Sequence, residues 1–386
     1  MSVLALFAGS DAFMVGTSID SLIANKPKGA NTKVAIGVGQ DGEGCVPNIS
    51  LWDTNGARIG QRYNKPKFHP RKARKQAEIF DDAKKGSRFF ETEVMHTQTV
   101  PKGKDAQAEY IMIQAAGDEP ICVTDISVRG SDYDWVWFAD NAKMCNRPWY
   151  PGGRKVGSNN FRPACVWMGS HPVKGSPSKD AKDPSTKKEW FNALGLHIND
   201  FDAQEARVIQ FQEHPESLCH SLPRMGFWLD KTRDSFIPFF RPPLEYNEDD
   251  SDKDLSLVVD KNYHKPEQSS RRSLNSSSPI QPVQYKNPRP GHLVISHYPE
   301  ASAKEVCESY TSMGPDIVSV QEGLFCDMDS KELWPICSTD VSFSCFDLGT
   351  QAMRERKPGL SNRDDAQTKV RTVPQKEYRT SSVWQD

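Results

Sequence analysis

Asp132, Asp134, Asp140 and Asn141 crowd the aromatic run WVWFA at residues 135–139. Oxygen ligands at this density can bind Ca²⁺, and two carboxylates facing one bond can hydrolyse a glycoside as acid and base. With a histidine such as His197, these aspartates would make a hydrolase. Asn199, Asp200 and Asp202 form a second group of the same kind. Neither has the spacing of an EF-hand loop, and short polar side chains so placed ordinarily form turns and stay solvated. That is the expected role of both groups, and no metal site is expected.

Other reactive patterns are weaker. Cys219 and His220 are adjacent, and adjacent side chains on a strand point to opposite faces, so a bridged or buried Cys219 is expected rather than a nucleophile–base pair. Residues 37–42 (GVGQDG) match G-x-G-x-x-G after a strand. A dinucleotide site also needs a helix to begin there, so that its first amides meet the pyrophosphate. Here Glu43, Gly44, Cys45, Val46 and Pro47 lead into another strand, so a glycine-rich turn is expected. No G-x-S-x-G, H-E-x-x-H or P-loop pattern occurs. The sequence identifies no reaction and calls for no cofactor.

Binding chemistry is better represented. Trp135 and Trp137 share one face of a strand, and Trp149 and Tyr150 lie in the Pro/Gly-rich stretch NRPWYPGG. Exposed aromatics stack on sugar rings or anchor a protein partner. Core filling is expected for Trp135, Trp137 and Trp167, so Trp149 and Tyr150 are the leading ligand-binding candidates. A basic stretch follows residue 62 and includes Lys65, Lys67, Arg71, Lys72, Arg74 and Lys75. It can meet phosphate polymers, acidic glycans or a nuclear-import receptor, although a solvated loop is its ordinary reading. Forty-nine Lys+Arg against 51 Asp+Glu give a net charge of −2, which excludes a globally basic nucleic-acid binder. Mean hydropathy is −0.66, and no run reaches the ~18–20 apolar residues of a membrane helix.

The nine cysteines bear on compartment. None forms C-x-x-C, the commonest zinc spacing. Cys307, Cys326, Cys337 and Cys345 crowd a short segment rich in aromatics, which points to local disulfide staples. Cys122, Cys145 and Cys165 are further bridge candidates, and sequence alone leaves their connectivity open. Residues 1–29 form an N-terminal segment whose apolar start, Ser2 to Phe7, reads as a degraded export signal without a basic lead. An extracellular location is therefore expected.

These side chains need elements to hold them. Residues 33–39, 48–53, 108–116, 121–129, 135–139, 164–168 and 194–198 read as short strands separated by turn residues. Asn55-Gly56 marks a hairpin, and residues 186–193 read as a short helix. In residues 121–129, Cys122, Thr124, Ile126 and Val128 share one face, and Ile121, Val123, Asp125 and Ser127 the other. The expected fold is mainly β: an antiparallel sandwich-like domain over residues 30–240 and a small disulfide-rich α+β module over 292–350. The acidic burst and Ser/Pro-rich run of 241–291 read as a disordered linker, and 351–386 as a disordered tail. A strand at 292–298 and a helix at 302–313 open the second module.

Residues 121–128 (ICVTDISV), the Trp-rich strand, 145–150 (CNRPWY), 162–168 (RPACVWM) and 314–348 (GPDIVSVQEGLFCDMDSKELWPICSTDVSFSCFDL) are similar to a group of uncharacterised secreted, cysteine-containing, β-rich proteins of filamentous fungi. The likeness spans residues 100–170 and 292–348 and consists of strands and cysteines. It implies secretion and disulfides and brings no activity with it. The expected function is a secreted, disulfide-stabilised, non-enzymatic protein that binds a glycan or a protein. The alternatives are an extracellular hydrolase using the clustered aspartates and an intracellular protein with a basic interaction loop.

Overall fold

Short runs rich in Val, Ile and aromatic residues, each closed by Gly, Asn, Asp or Pro, become strands. The computed structural model describes residues 31–39, 44–63, 89–96, 107–116, 120–130, 133–157, 161–169, 191–202, 204–228, 236–258, 263–264, 287–355 and 373–385. The basic stretch from Lys65 to Lys75, Asp132 and the N-terminal segment lie outside them. The chain divides into two compact units, residues 1–281 and 282–386.

In unit 1 the elements are β1 (Asn31–Val38), β2 (Asn48–Trp52), β3 (Arg58–Arg62), β4 (Phe89–Met95), β5 (Tyr110–Gln114), β6 (Ile121–Arg129), β7 (Asp134–Phe138), α1 (Asp140–Met144), β8 (Trp149–Tyr150), β9 (Cys165–Met168), β10 (Ala193–His197), α2 (Glu205–Glu213), α3 (Glu216–Cys219), β11 (Met225–Trp228), β12 (Phe239–Phe240) and β13 (Tyr263–His264). One antiparallel sheet runs β4-β1-β6-β9-β8, with β7 also on β6; the other runs β11-β10-β5-β2-β3. A bridge between Gly60 and His96 joins the two at the β3–β4 corner. Their inner faces share one core: Val34, Ile36, Ile126 and Val128 from the first, Leu51, Ile111, Ile113, Leu194, Leu196 and Phe227 from the second. This is the expected sandwich-like arrangement of antiparallel sheets.

Strict alternation fails in β6. Ile36 pairs with Ile126 and Gly37 with Asp125, but Val38 pairs with Val123, so a bulge falls at Thr124. One extra residue reverses the facing of everything before it. Ile121 and Val123 therefore join Ile126 and Val128 in the core, correcting the two-face assignment. The β2–β3 hairpin forms as expected, with Gly56 at φ 72°. The Asp53 carboxylate closes it by accepting from the amides of Asn55 and Ala57, each at 2.9 Å.

The linker expectation fails over residues 241–258. The second sheet carries large side chains on its outer face too: Trp52, Tyr110, Met112 and Trp228. Ile237, Phe240 and Val258 cover that face, with Leu244 packed alongside. The Ser/Pro-rich residues 265–286 lie outside the described residues. The expected helix at 186–193 is not formed where it is described: Phe191 bridges to Met168 and β10 begins at Ala193.

Unit 2 contains β14 (His292–Ser296), α4 (Ala303–Glu308), β15 (Asp316–Ser319), β16 (Leu324–Asp327), β17 (Glu332–Pro335), β18 (Cys345–Asp347), β19 (Ala352–Arg354) and β20 (Thr380–Trp384). Its main sheet runs β17-β16-β15-β14-β20, with β14 parallel to both β15 and β20. Ser302 caps α4 by accepting from the Glu305 amide at 3.0 Å. The helix stops at Glu308, short of the expected 313, where Ser309 and Ser312 turn their hydroxyls onto the backbone. The tail expectation also fails where it is described. Residues 373–385 supply β20, Val373 is buried in the unit's core, and Trp384 is 1 % exposed beside Tyr298. Tryptophan and the alternating run TSSVW outweigh the polar residues around them.

Four disulfides join Cys122 to Cys165, Cys145 to Cys219, Cys307 to Cys326 and Cys337 to Cys345. They include all seven bridge candidates, and Cys219, expected to be bridged or buried, is the eighth. No helix of the described residues is long and apolar enough to cross a membrane.

Candidate functional site

The densest polar constellation lies inside unit 1, where β10 ends. His197 closes that strand, and a short 3₁₀ turn then presents Asn199 and Asp200. α2 contributes Arg207 and Gln210, the residues before β11 contribute Arg224, and the acidic burst contributes Tyr246 and Asp252. Arg224 is fully buried between two carboxylates. Its Nε donates to Asp200 Oδ2 at 2.8 Å, and its two terminal nitrogens grip Asp252 at 2.8 and 2.7 Å. Arg207 Nη1 lies 3.2 Å from Asp200 and 3.3 Å from Asp252. Tyr246 donates to Asp200 at 2.9 Å, and Gln210 donates to one Asp252 oxygen and accepts from the Asp252 amide.

Two guanidinium groups thus face two carboxylates, and bidentate geometry offsets the cost of burying them. Burial works to raise the Asp200 carboxyl, but Arg224, His197 and Arg207 together hold it well below the usual range. Burial opposes the Arg224 charge, yet Asp200 and Asp252 hold its proton more firmly than usual. Burial pushes the Tyr246 hydroxyl up, and Asp200 pushes it further.

One arm of this network reaches outward. His197 Nδ1 lies 2.8 Å from Asp200, and His197 Nε2 lies 3.8 Å from Glu109 Oε2. The ring rests on Tyr110, 4.5 Å between centroids, and meets the edge of Phe240. Asn199 donates to Glu109. The Glu109 side chain is 18 % exposed against 6 % for His197, so Glu109 is the outward member. Burial raises its pKa despite His197 and Asn199, and Asp200 and Asp53 add to the rise. A carboxyl that keeps its proton unusually long, backed by an imidazole and a carboxylate, has the makings of a general acid.

Unit 2 carries a second set. Asp316, Asp327 and Asp329 surround Lys376, whose Nζ lies 3.3, 2.6 and 2.7 Å from them. Tyr378 donates to Asp316 at 2.7 Å. Burial raises the Asp316 carboxyl, while the three carboxylates outweigh burial and raise the Lys376 ammonium. On the same sheet His292 sits between Thr380 at 2.7 Å and Ser382 at 3.0 Å. Among the described residues no group of His, Cys, Asp and Glu side chains has the arrangement of a metal site.

The expected ligand aromatics are not where a ligand would meet them. Trp149 and Tyr150 form β8 at a sheet edge and are 3 % and 2 % exposed. Lys143 lies over the Trp149 ring at 3.7 Å. Trp137 is buried in the core, and half-buried Trp135 stacks on Tyr133 at 4.2 Å. Asp134 pairs with Arg129 at 2.8 Å, and Asp140 accepts from the Ala164 amide at 3.4 Å. His197 pairs with Asp200 and Glu109 instead of with those aspartates. Arg224, Tyr246 and Asp252 were invisible to motif reading, because their partners lie far away in sequence. The signal for the last two was Phe239-Phe240, Tyr246 and the Leu/Val run at 255–258, apolar residues that a solvated linker has no use for.

No protein-family model, curated protein or solved structure matches the chain.

Proposed function

We propose that the protein is exported and acts in an oxidising compartment by binding a glycan or protein partner. The observation that carries the reading is the bridging of eight of the nine cysteines, two bridges within each unit. Such a density of disulfides belongs to oxidising compartments, since cytosolic thiols are kept reduced. With Trp149 and Tyr150 in the core, the binding surface must use other side chains. Tyr63, just past the end of β3, and Phe89 and Met95, at the two ends of β4, are exposed and are the first to test. The decisive measurement is a free-thiol count on protein purified from its native source. A single free thiol, at Cys45, with binding on a glycan array or pull-down that weakens in a Phe89→Ala, Met95→Ala double variant, is the expected result. Eight or nine free thiols would overturn export. Full binding by the double variant would move the surface elsewhere.

A second reading rests on Glu109. If the protein hydrolyses a substrate, the acid is Glu109 with His197 and Asp200 behind it, in place of Asp132, Asp134 and Asp140. Any hydrolytic activity detected on extracellular polysaccharides or esters should fall at least about a hundredfold in Glu109→Gln, the usual scale of a lost general acid. Unchanged turnover would dismiss the assignment.

A further inference from the structure

β20 ends the main sheet of unit 2 and leaves its own far flank open. β14 holds it from one side, and among the described residues no strand lies beyond it. The Trp384 carbonyl accepts from the His297 amide at 2.9 Å, and the Thr380 amide donates to the Gly291 carbonyl at 3.4 Å. Successive residues of a strand turn their amide and carbonyl to opposite flanks. Thr380, Ser382 and Trp384 therefore serve β14, while Ser381 and Val383 point outward. Both outward residues are exposed, Val383 by 50 %.

Proteins ordinarily blunt such an edge with a charge, a proline or a bulge. The run TSSVW has neither charge nor proline, and its register with β14 is unbroken. The other edges of the large sheets are protected. β17 contains Pro335, and Ile336 after it bridges to Phe346. β8 is two residues long between Pro148 and Pro151. β3 and β4 meet through Gly60 and His96, and β4 carries Glu91 and Glu93. All four residues of β11 are buried. An apolar row also runs out onto the β20 edge. Trp334, Phe325, Val318, Ile295 and Val383 are successive cross-strand neighbours. The first four belong to the core of the unit, and the row stops half covered at Val383.

We propose that β20 is a dimerisation edge, pairing antiparallel with β20 of a second copy to join two five-stranded sheets into one of ten. The edge is its own complement. With a two-fold axis at Ser382, Ser381 faces the second copy's Val383, and Val383 faces the second copy's Ser381. Each such pair exchanges two bonds, so four hydrogen bonds use every outward group of Ser381 and Val383 on both copies. The two valines come to lie diagonally on one face, within reach of each other, and continue the apolar row into the second sheet. Arg379 falls opposite the second copy's Gln385, so no like charges meet. A foreign strand would find no charge within β20 to steer or select it. The contact is small, so the dimer is reversible.

The test measures the oligomeric state of the full chain, with its disulfides intact, by sedimentation equilibrium from about 1 to 300 µM. A monomer–dimer equilibrium is expected in that range. Val383→Pro removes an outward donor and leaves the β14 ladder whole, because the Val383 amide faces away from β14. Two intermolecular bonds are lost per dimer, so the dissociation constant should rise at least about tenfold. Val383→Lys keeps the backbone donors and sets two ammonium groups diagonally together, so it should weaken the dimer as well, with the melt of unit 2 unchanged. The register has its own check in a Cys45→Ser background. Ser382→Cys meets its copy directly across the axis, within disulfide reach, and should form an interchain bridge under mild oxidation, whereas Thr380→Cys faces the second copy's Trp384 and should not. A chain that is monomeric throughout, or a dimer untouched by both Val383 variants, would overturn the proposal. A monomer whose binding of another protein is lost in both variants would assign the edge to a foreign strand and equally overturn the pairing with a second copy.

Discussion

Arg224 is the residue on which the interior of unit 1 depends. Replacing it with methionine removes one charge and leaves Arg207 as the one guanidinium facing buried Asp200 and Asp252. Breaking a buried pair in this way costs about 3–5 kcal/mol, readable as a lowered midpoint in urea. The exposed Lys253–Glu245 pair is the control, and its loss should leave the midpoint within error. The pH dependence follows from Asp200. Its folded pKa is depressed, so its contribution is present above the unfolded value of about 3.9 and disappears as pH falls through the folded value. Unit 1 should therefore lose stability below about pH 4, and Asp200→Asn should lose that acid sensitivity while being weaker at neutral pH. Glu109 has the opposite sign. Its folded pKa is raised, so ionisation works against folding as pH climbs, and Glu109→Gln should melt higher at neutral pH and not at pH 4. Trp149→Ala should behave as a core truncation, costing about 3–5 kcal/mol in a melt while leaving any surface binding of the folded fraction unchanged.

At the scale of elements, the segment around 241–258 decides most. It closes the outer face of the β11-β10-β5-β2-β3 sheet and delivers Asp252 to Arg224. Deleting residues 241–258 should expose Trp52, Tyr110 and Met112, raise dye binding and lead to aggregation; a monomeric deletion protein with an unchanged melt would refute the covering role. This is also where sequence reading reached its limit. β1, β2, β5, β6, β7, β9, β10 and the β2–β3 hairpin were legible because alternation and turn residues are local signals. Glu248, Asp249, Asp250 and Asp252 look alike in a sequence, yet Asp249 caps a local turn while Asp252 is sealed against an arginine 28 positions earlier. The bulge at Thr124 escaped for the same reason, since a register slip is fixed by the partner strand. Trp149 and Tyr150 misled because Pro and Gly around a tryptophan fit an edge strand as well as an exposed loop. The cysteines pointed to bridges, but pairing depends on how the sheets lie. Cys145–Cys219 closes the longest loop, 74 residues, and by closure entropy is the bridge whose loss should cost most, about 4 kcal/mol. A Cys145→Ser, Cys219→Ser double variant compared with its Cys337, Cys345 counterpart checks the order.

At the scale of the whole molecule, the chain is two disulfide-bearing units with different architectures, a sandwich and an α+β sheet with a parallel centre. Each has its own core and its own buried ion cluster, so each should give its own unfolding step. Reductant should lower both steps, because both units carry bridges. In unit 2 the bridges close loops of only 19 and 8 residues, whereas the strand that completes its sheet arrives late. β14 takes β15 as one neighbour after a short crossover, but its other neighbour lies 88 positions downstream. Where the chain is delivered N-terminus first into an oxidising environment, Cys307, Cys326, Cys337 and Cys345 can therefore pair while β14 still has one open edge. Any oxidase acting on the nascent chain would meet unit 2 as a stapled but unfinished sheet, with Trp384 last to enter its place.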